Sequence, residues 1–278
     1  MHAASYLSIG AIFRDEGEYL REWIDFHLGV GVEHFYLYDN DSADEPETLL
    51  APYVAAGLVT LYQAPGPVAQ MRAYAHCAAA HAGASRWIAF VDVDEFLFAP
   101  EPDADLRDVL AAYEAHPALV VNWVSFGSSG HIERPPGGVL ENFTRRGALD
   151  HVVPYAHLAL AGGGHRPLNS HVKSIVDPRA VTGCSNPHFL QYAGGAAAVD
   201  ELGRPVHGPF SATVSVARLR LNHYWSKSRS EFAVKMARGR ADAPTFRSWA
   251  EFDLRDGLCD GVRDDLILRQ AARAIARA

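Results

Sequence analysis

Residues 87–100 read WIAFVDVDEFLFAP. The run opens as apolar strand formers suited to burial on both faces, then sets Asp92, Asp94 and Glu95 within four positions. Carboxylates that close repel one another, so a positive group is expected beside them. A hard divalent cation is one answer, because two aspartates one residue apart at a strand end can converge on it and leave positions open for phosphate oxygens. A helix cap or surface turn is the plain alternative for a bare D-x-D. What surrounds the motif decides between them.

Working outward, the first hundred residues alternate strand and helix. YLSIGAIF, EHFYLYDN and LVTLYQA read as strands ahead of RWIAFVDVD. Between them lie EYLREWIDFHLGVG, with Leu20, Trp23, Ile24, His27 and Leu28 on one stripe, then PETLLAPYVAAG, where Pro52 is expected to end or bend the helix, and the Ala-rich PVAQMRAYAHCAAAHAG. Such alternation implies parallel βαβ units, hence an α/β sheet covered by helices. Ligands bind outside the carboxyl ends of such strands. Three strands end in polar clusters, Arg14–Glu16, Asp39–Asp41 and Asp92–Glu95, which therefore share one rim. That convergence favours a ligand site over a bare turn.

Beyond Pro100 the pattern loosens. LRDVLAAYEAHP reads as a helix, ALVVNWVSFGSSG as a strand, and residues 132–187 as loops with short strands such as HVKSIVDP. ATVSVARLRLNHYW alternates like a strand, SRSEFAVKMARGR is a basic helix, and RDDLILRQAARAIARA is an amphipathic terminal one. A single domain over residues 1–278 is expected, with a regular first part (1–100), an irregular second part (101–245) and a helical tail (246–278). The 278 residues carry a formal charge of −8, which argues against a nucleic-acid partner. Cys77, Cys184 and Cys259 form no CxxC pair, and no apolar run approaches a membrane span or a signal peptide, so a reducing, cytoplasmic setting is the expectation.

Other candidates cluster near the rim. Asp39 and Asn40 suit hydrogen bonds to a nucleotide, or equally an Asx turn capping the next helix. Arg14, Glu16 and Arg72 are further donor-binding candidates. LNHYWSKSRSEFAVKMARGR supplies His223, Lys227, Arg229, Lys235, Arg238 and Arg240; Lys or Arg at a helix start can hold a diphosphate, and a charge run can also be a solvated face or touch an anionic membrane. His223 competes with His188 to be a third metal ligand. GGGH at residues 162–165 lacks the Lys and Ser/Thr of a P-loop, and FGSSG is no nucleophile elbow. His151, His157, His165 and His171 read as scattered.

The blocks IGAIFRDEGEYLREWIDFHLGVGVEHFYLYDNDSAD, RWIAFVDVDEFLF, NWVSFGSSGH, VKSIV and NHYWSKSRSEFAVKMARG, in this order, resemble glycosyltransferase family 92 and its bacterial relatives related to family 2. The resemblance implies a GT-A, Rossmann-like fold and an inverting transferase that moves a hexose from a UDP-sugar, with Mn²⁺ or Mg²⁺, to a saccharide or lipid-linked acceptor. By that likeness Asp92, Asp94 and His223 bind metal and Asp39 contacts the nucleotide. FRDE departs from the Asn found before the Glu in many relatives, and no E-D pair marks the base. Glu133, with Asp150 behind it, is the expected base, and Trp123 and Phe126 an apolar platform for sugar. A phosphoesterase or nucleotidyltransferase, or an inactive carbohydrate-binding relative, are the other readings, and the first of these wants a second metal and more clustered carboxylates.

Overall fold

The computed structural model describes residues 5–158 and 163–277, with side chains as far as residue 272. The first four residues and Gly162 of the GGGH run lie outside these. One ten-stranded sheet organises the chain. Its strands are β1 (Ser5–Phe13), β2 (His34–Asp39), β3 (Val59–Gln63), β4 (Ser85–Phe90), β5 (Glu95–Phe98), β6 (Ala118–Ser125), β7 (Val172–Val176), β8 (Ala198–Val199), β9 (Pro205–Val206) and β10 (Arg220–His223). The helices are α1 (Gly17–Gly29), α2 (Pro46–Ala55), α3 (Gln70–Ala80), α4 (Leu106–Leu110), α5 (Val139–Asn142), α6 (Arg229–Ala237), α7 (Trp249–Cys259) and α8 (Leu266–Arg277).

The strand order is β9-β8-β6-β7-β4-β1-β2-β3, with β10 pairing β5 and β6. β3, β2, β1 and β4 run parallel, as the alternation of strand and helix requires. The α/β class expected from the sequence is thus present. Side chains alternate across the sheet: Leu7, Ile9, Ala11 and Phe13 join the layer that holds Trp23 and Ile24 of α1, while Ile12, Tyr36, Tyr38, Ile88 and Phe90 join Tyr74 and Cys77 of α3. Gly10 is required where α3 presses closest, since a Cβ there would meet the Phe90 ring at 2.8 Å.

The second half departs from expectation. HVKSIVDP is no loop ornament: β7 is wedged antiparallel between β4 and β6 in the middle of the sheet. The alternating run before His223 forms a strand only over Arg220–His223. WAEFDLRDGLC, not anticipated, is helix α7, capped by Ser248, whose side chain accepts from the Glu251 amide. Pro52 stays inside α2 without ending it.

Candidate active site

The opening stretch is two strands with a turn between them. β4 stops at Phe90, the Glu95 amide donates to the Asp92 carbonyl at 3.0 Å, and β5 leaves in another direction. Val91 and Val93 are buried in the core, so Asp92 and Asp94 alternate to the opposite side, into a cleft. The cleft opens at the carboxyl ends of β1, β2 and β4 and takes Arg14, Glu16, Asn40, Asp92 and Asp94 from the three rims. The rims converge as expected.

Each aspartate already has an ammonium partner. Asp92 Oδ2 accepts from Lys173 Nζ of β7 at 2.8 Å, and its Oδ1 accepts from Gln70 Nε2 at 2.8 Å and the Tyr74 hydroxyl at 3.1 Å. Asp94 Oδ2 accepts from Lys235 Nζ of α6 at 2.5 Å, while Oδ1 faces His223 Nε2 at 3.6 Å. Glu95 points inward, where its Oε2 accepts from the Asp92 amide at 2.8 Å and lies 3.5 Å from Lys173 Nζ. Burial pushes the Glu95 carboxyl well above its ordinary range, Lys173 counters this, and Asp92 and Asp94 push the same way as burial. Burial would also raise Asp94, but the Lys235 charge, with Lys227 behind it, holds that carboxyl well below the ordinary range. Two lysines and one suppressed charge are what let three acids crowd together.

Lys235 is placed by a capping box. Ser228 accepts from the Glu231 amide and its own amide is taken by Glu231 Oε2 at 3.0 Å, which starts α6 and sets Lys235 and Arg238 three residues apart on one face. Arg238 Nη2 reaches Glu16 Oε1 at 2.5 Å. The loop after α6 crosses the cleft, pinned by a bond from the Gln70 amide to the Ala241 carbonyl at 3.1 Å, and brings Arg240, Asp242 and Arg247. Five cationic side chains, Arg14, Lys235, Arg238, Arg240 and Arg247, face four acidic ones, Glu16, Asp92, Asp94 and Asp242. Arg247 Nε is buried with no partner, and burial lowers the guanidinium's pKa. Burial also lowers Lys235, to about 8 against the pull of Asp94.

The opposite wall is aromatic. Trp123 stands 4.1 Å from the His223 ring, 4.9 Å from His188 and 4.7 Å from His171, centroid to centroid. His188 sits in the turn of a hairpin formed by Val181–Asn186 and Phe189–Tyr192, with its Nδ1 3.1 Å from the Val172 carbonyl. That carbonyl can only accept, so Nδ1 carries the proton and Nε2 is a free acceptor. Burial holds His171, His188 and His223 well below the ordinary histidine range, hence neutral. His171 therefore joins a cluster that its spacing from His151, His157 and His165 does not reveal.

Several expected residues lie elsewhere. Asp39 is buried and caps a turn, its Oδ1 taking the Ser42 amide at 3.0 Å, so the Asx alternative describes it. Asn40 lines the cleft but spends its amide on the Ala64 and Gly66 carbonyls at 2.7 and 2.8 Å. Arg72 is bonded to the Pro65 carbonyl at 2.8 Å outside the cleft. Lys227 is buried 3.2 Å over the Tyr19 ring, behind the cleft wall. Glu133 and Asp150 are exposed on loops and do not line the cleft, because the chain after β6 turns outward. Phe126 is core, whereas Trp123 does face the cleft. Of the cations of α6, Lys235 points into the cleft and Arg229 pairs with Asp253 at 2.8 Å. Lys173, Gln70 and Tyr74 were not anticipated; a lysine amid VKSIV is the signal that could have found the first.

These residues do not fit a divalent cation. Three of the four carboxylate oxygens of Asp92 and Asp94 are bonded to protein donors, two of them ammonium groups. Among the described residues no group of three His, Cys, Asp or Glu could hold a metal. Unit charges 4 Å apart repel by about 4 kcal/mol at an effective dielectric near 20, and a divalent ion beside Lys235 would feel about twice that.

A mostly parallel α/β sheet whose strand ends open on a D-x-D turn and a cationic cleft is a fold of the GT-A class. The sequence profile of glycosyltransferase family 92 matches residues 7–259, and the chain belongs to that family. A family 92 protein of Oryza sativa subsp. japonica is 35% identical over 147 residues, covering 51% of this chain and 25% of that protein. One from Arabidopsis thaliana is 28% identical over 251 residues, 83% of this chain and 38% of that protein. The chain thus spans less than two-fifths of the length of these relatives. Among solved structures, S. aureus TarS residues 1–349 in complex with UDP matches at a TM-score of 0.35 and 15% identity, over 50% of this chain and 40% of that one. A mycobacterial protein matches at 0.35 and 16%, over 74% and 68%.

Proposed function

We propose that the protein transfers a hexose from a nucleoside diphosphate sugar, with UDP as the nucleotide, to a hydroxyl of a saccharide or glycoconjugate, with inversion at the anomeric carbon. The observation that carries this reading is the cleft itself: cations of α6 and its following loop stand over the strand ends of a nucleotide-type sheet. A diphosphate brings negative charge to a cleft whose five cations outnumber its four acids and where Arg247 Nε has no partner, and Trp123 offers the flat apolar face on which a sugar ring stacks. His188 takes the acceptor proton in this reading, because it lines the cleft beside Trp123 and its Nδ1–H bond to the Val172 carbonyl leaves Nε2 as an acceptor. Glu16 and Asp242 are committed to Arg238 and Arg240. In direct displacement the acceptor oxygen forms its bond to the anomeric carbon as the bond to the diphosphate breaks, its proton passing to His188. The leaving charge stays with the cations.

Titration calorimetry with uridine, UMP and UDP tests the donor half, and affinity should climb with each phosphate. Equal affinity for all three would remove the reading. Proton NMR of the sugar released from the donor should find the anomeric configuration opposite to that of the donor. Retained configuration would refute inversion alone. A phosphoesterase reading finds no support in the carboxylates, which form no second metal cluster among the described residues.

A further inference from the structure

We propose that Lys235 does the work of a divalent cation in this cleft, so that donor diphosphate is bound and its leaving charge neutralised without metal; this rests on the donor reading above. The ammonium group lies against Asp94 of the D-x-D, its Nζ donating to Oδ2 at 2.5 Å. Its second bond goes to the Trp225 carbonyl at 2.8 Å. An ammonium has three protons, and both partners are accounted for, so one proton remains for a phosphate oxygen in the cleft that Lys235 lines.

The surroundings support this role. Asp92, the other half of the D-x-D, is turned to Lys173, Gln70 and Tyr74, all buried, so its two oxygens are held by protein rather than converging with Asp94 on a shared ion. Arg238, Arg240 and Arg247 line the same cleft, and the unpartnered Arg247 Nε supplies a donor that no protein acceptor uses. A lysine bound this way behaves as a fixed point charge, whereas the arginines supply planar forks, a combination suited to two linked phosphates. The lysine is not free to drift: its stem is buried in α6, which the Ser228 cap anchors.

The test is calorimetric titration of UDP into the full chain in EDTA and in manganese chloride, on wild type, Lys235→Met and Lys235→Arg. Wild type should bind equally, within about threefold, in both buffers, Lys235→Met should weaken binding about tenfold or more in both, and Lys235→Arg should recover part of the loss. Binding by wild type in manganese but not in EDTA would overturn the lysine's role while leaving the donor reading intact. Absence of binding in both would remove the donor reading, and this inference with it. Should Lys235→Met fail to fold, electron paramagnetic resonance of free manganese decides without a variant. The aqueous signal should survive stoichiometric wild-type protein, and its quenching would refute the proposal.

Discussion

The cleft has a floor and a roof, and the same pairing of lysine with aspartate appears in both. On the floor Lys173 of β7 is 1% exposed and holds Asp92 and Glu95 from inside the sheet. In the roof Lys235 of α6 holds Asp94 from the cleft side, its side chain 11% exposed. The floor pair lies between three sheet strands, where nothing but protein can reach the lysine. The roof pair borders open space and keeps a spare proton. The same chemistry therefore serves structure in one place and ligand in the other, and access to the cleft is what separates them.

The sharpest way to break this contrast is Lys173→Met. It leaves the Asp92 carboxylate without its ammonium partner beside the buried Glu95, and removing one partner of a buried pair costs about 3–5 kcal/mol. Urea unfolding should lose stability on that scale, and a midpoint equal to wild type would show that the floor pair is not structural. His188→Ala, on the roof side, should cost less stability than the floor variant, about 1–3 kcal/mol for its bond to the Val172 carbonyl and its packing on Trp123, but lower kcat by about 10²–10⁴, the usual worth of a positioned base. An unchanged kcat would assign the proton elsewhere. Lys235→Met should cost less stability than the floor variant, about 1–3 kcal/mol, because water from the cleft can replace its bonds to Asp94 and Trp225. A loss equal to that of Lys173→Met would erase the distinction between floor and roof.

How much of this was legible follows the same division. The four parallel strands and the shared rim were readable because each strand and helix carries its own period, and helix ends were marked by glycine or polar turns. The D-x-D turn was visible as an anomaly, but its partners were not. Lys173 lies 81 residues from Asp92, and Lys235 lies 141 from Asp94. No local pattern encodes contacts that distant. β7 was read as a loop strand because a five-residue segment flanked by Gly- and Pro-rich chain gives no hint of insertion at the sheet's centre. Glu133 and Asp150 were attractive only for following the strand of Trp123, and the chain's outward turn after β6 is a tertiary fact. Asp39 is an even choice in the sequence, and the structure adds one bond, from the Ser42 amide to its Oδ1.

Support beneath the floor gives a finer test through pH. His27 Nδ1 donates to the Trp23 carbonyl at 2.7 Å, its Nε2 accepts from the Leu97 amide of β5 at 3.1 Å, and Trp23 Nε1 donates to the Glu95 carbonyl at 2.7 Å. Burial lowers the His27 pKa to about 3, with the Trp23 bond pulling back. The unfolded chain therefore binds a proton near pH 6.5 that the native state refuses until about 3. Stability is complete above pH 6.5 and falls as pH drops through that window, by at most about 1.4 kcal/mol per pH unit for this one group. His171, His188 and His223 add slope of the same sign, since burial lowers them too. His27→Gln, which keeps an acceptor for the Leu97 amide, should flatten the slope by one proton's worth while the histidines of the aromatic wall keep theirs. An unaltered slope would place the acid sensitivity in the cleft.

The smallest effect separates the cleft from the loops beyond it. Glu133→Gln and Asp150→Asn remove exposed charges that touch no cleft residue, and such surface changes stay within about 0.5 kcal/mol. Transfer rates of both should therefore stay within about twofold of wild type, against the large loss expected of His188→Ala. A hundredfold fall in either would mean that these loops fold over the donor when it binds. The proton acceptor would then belong to the second half's loops and not to the aromatic wall, and the division into a fixed floor and a ligand-facing roof would need a third, mobile part.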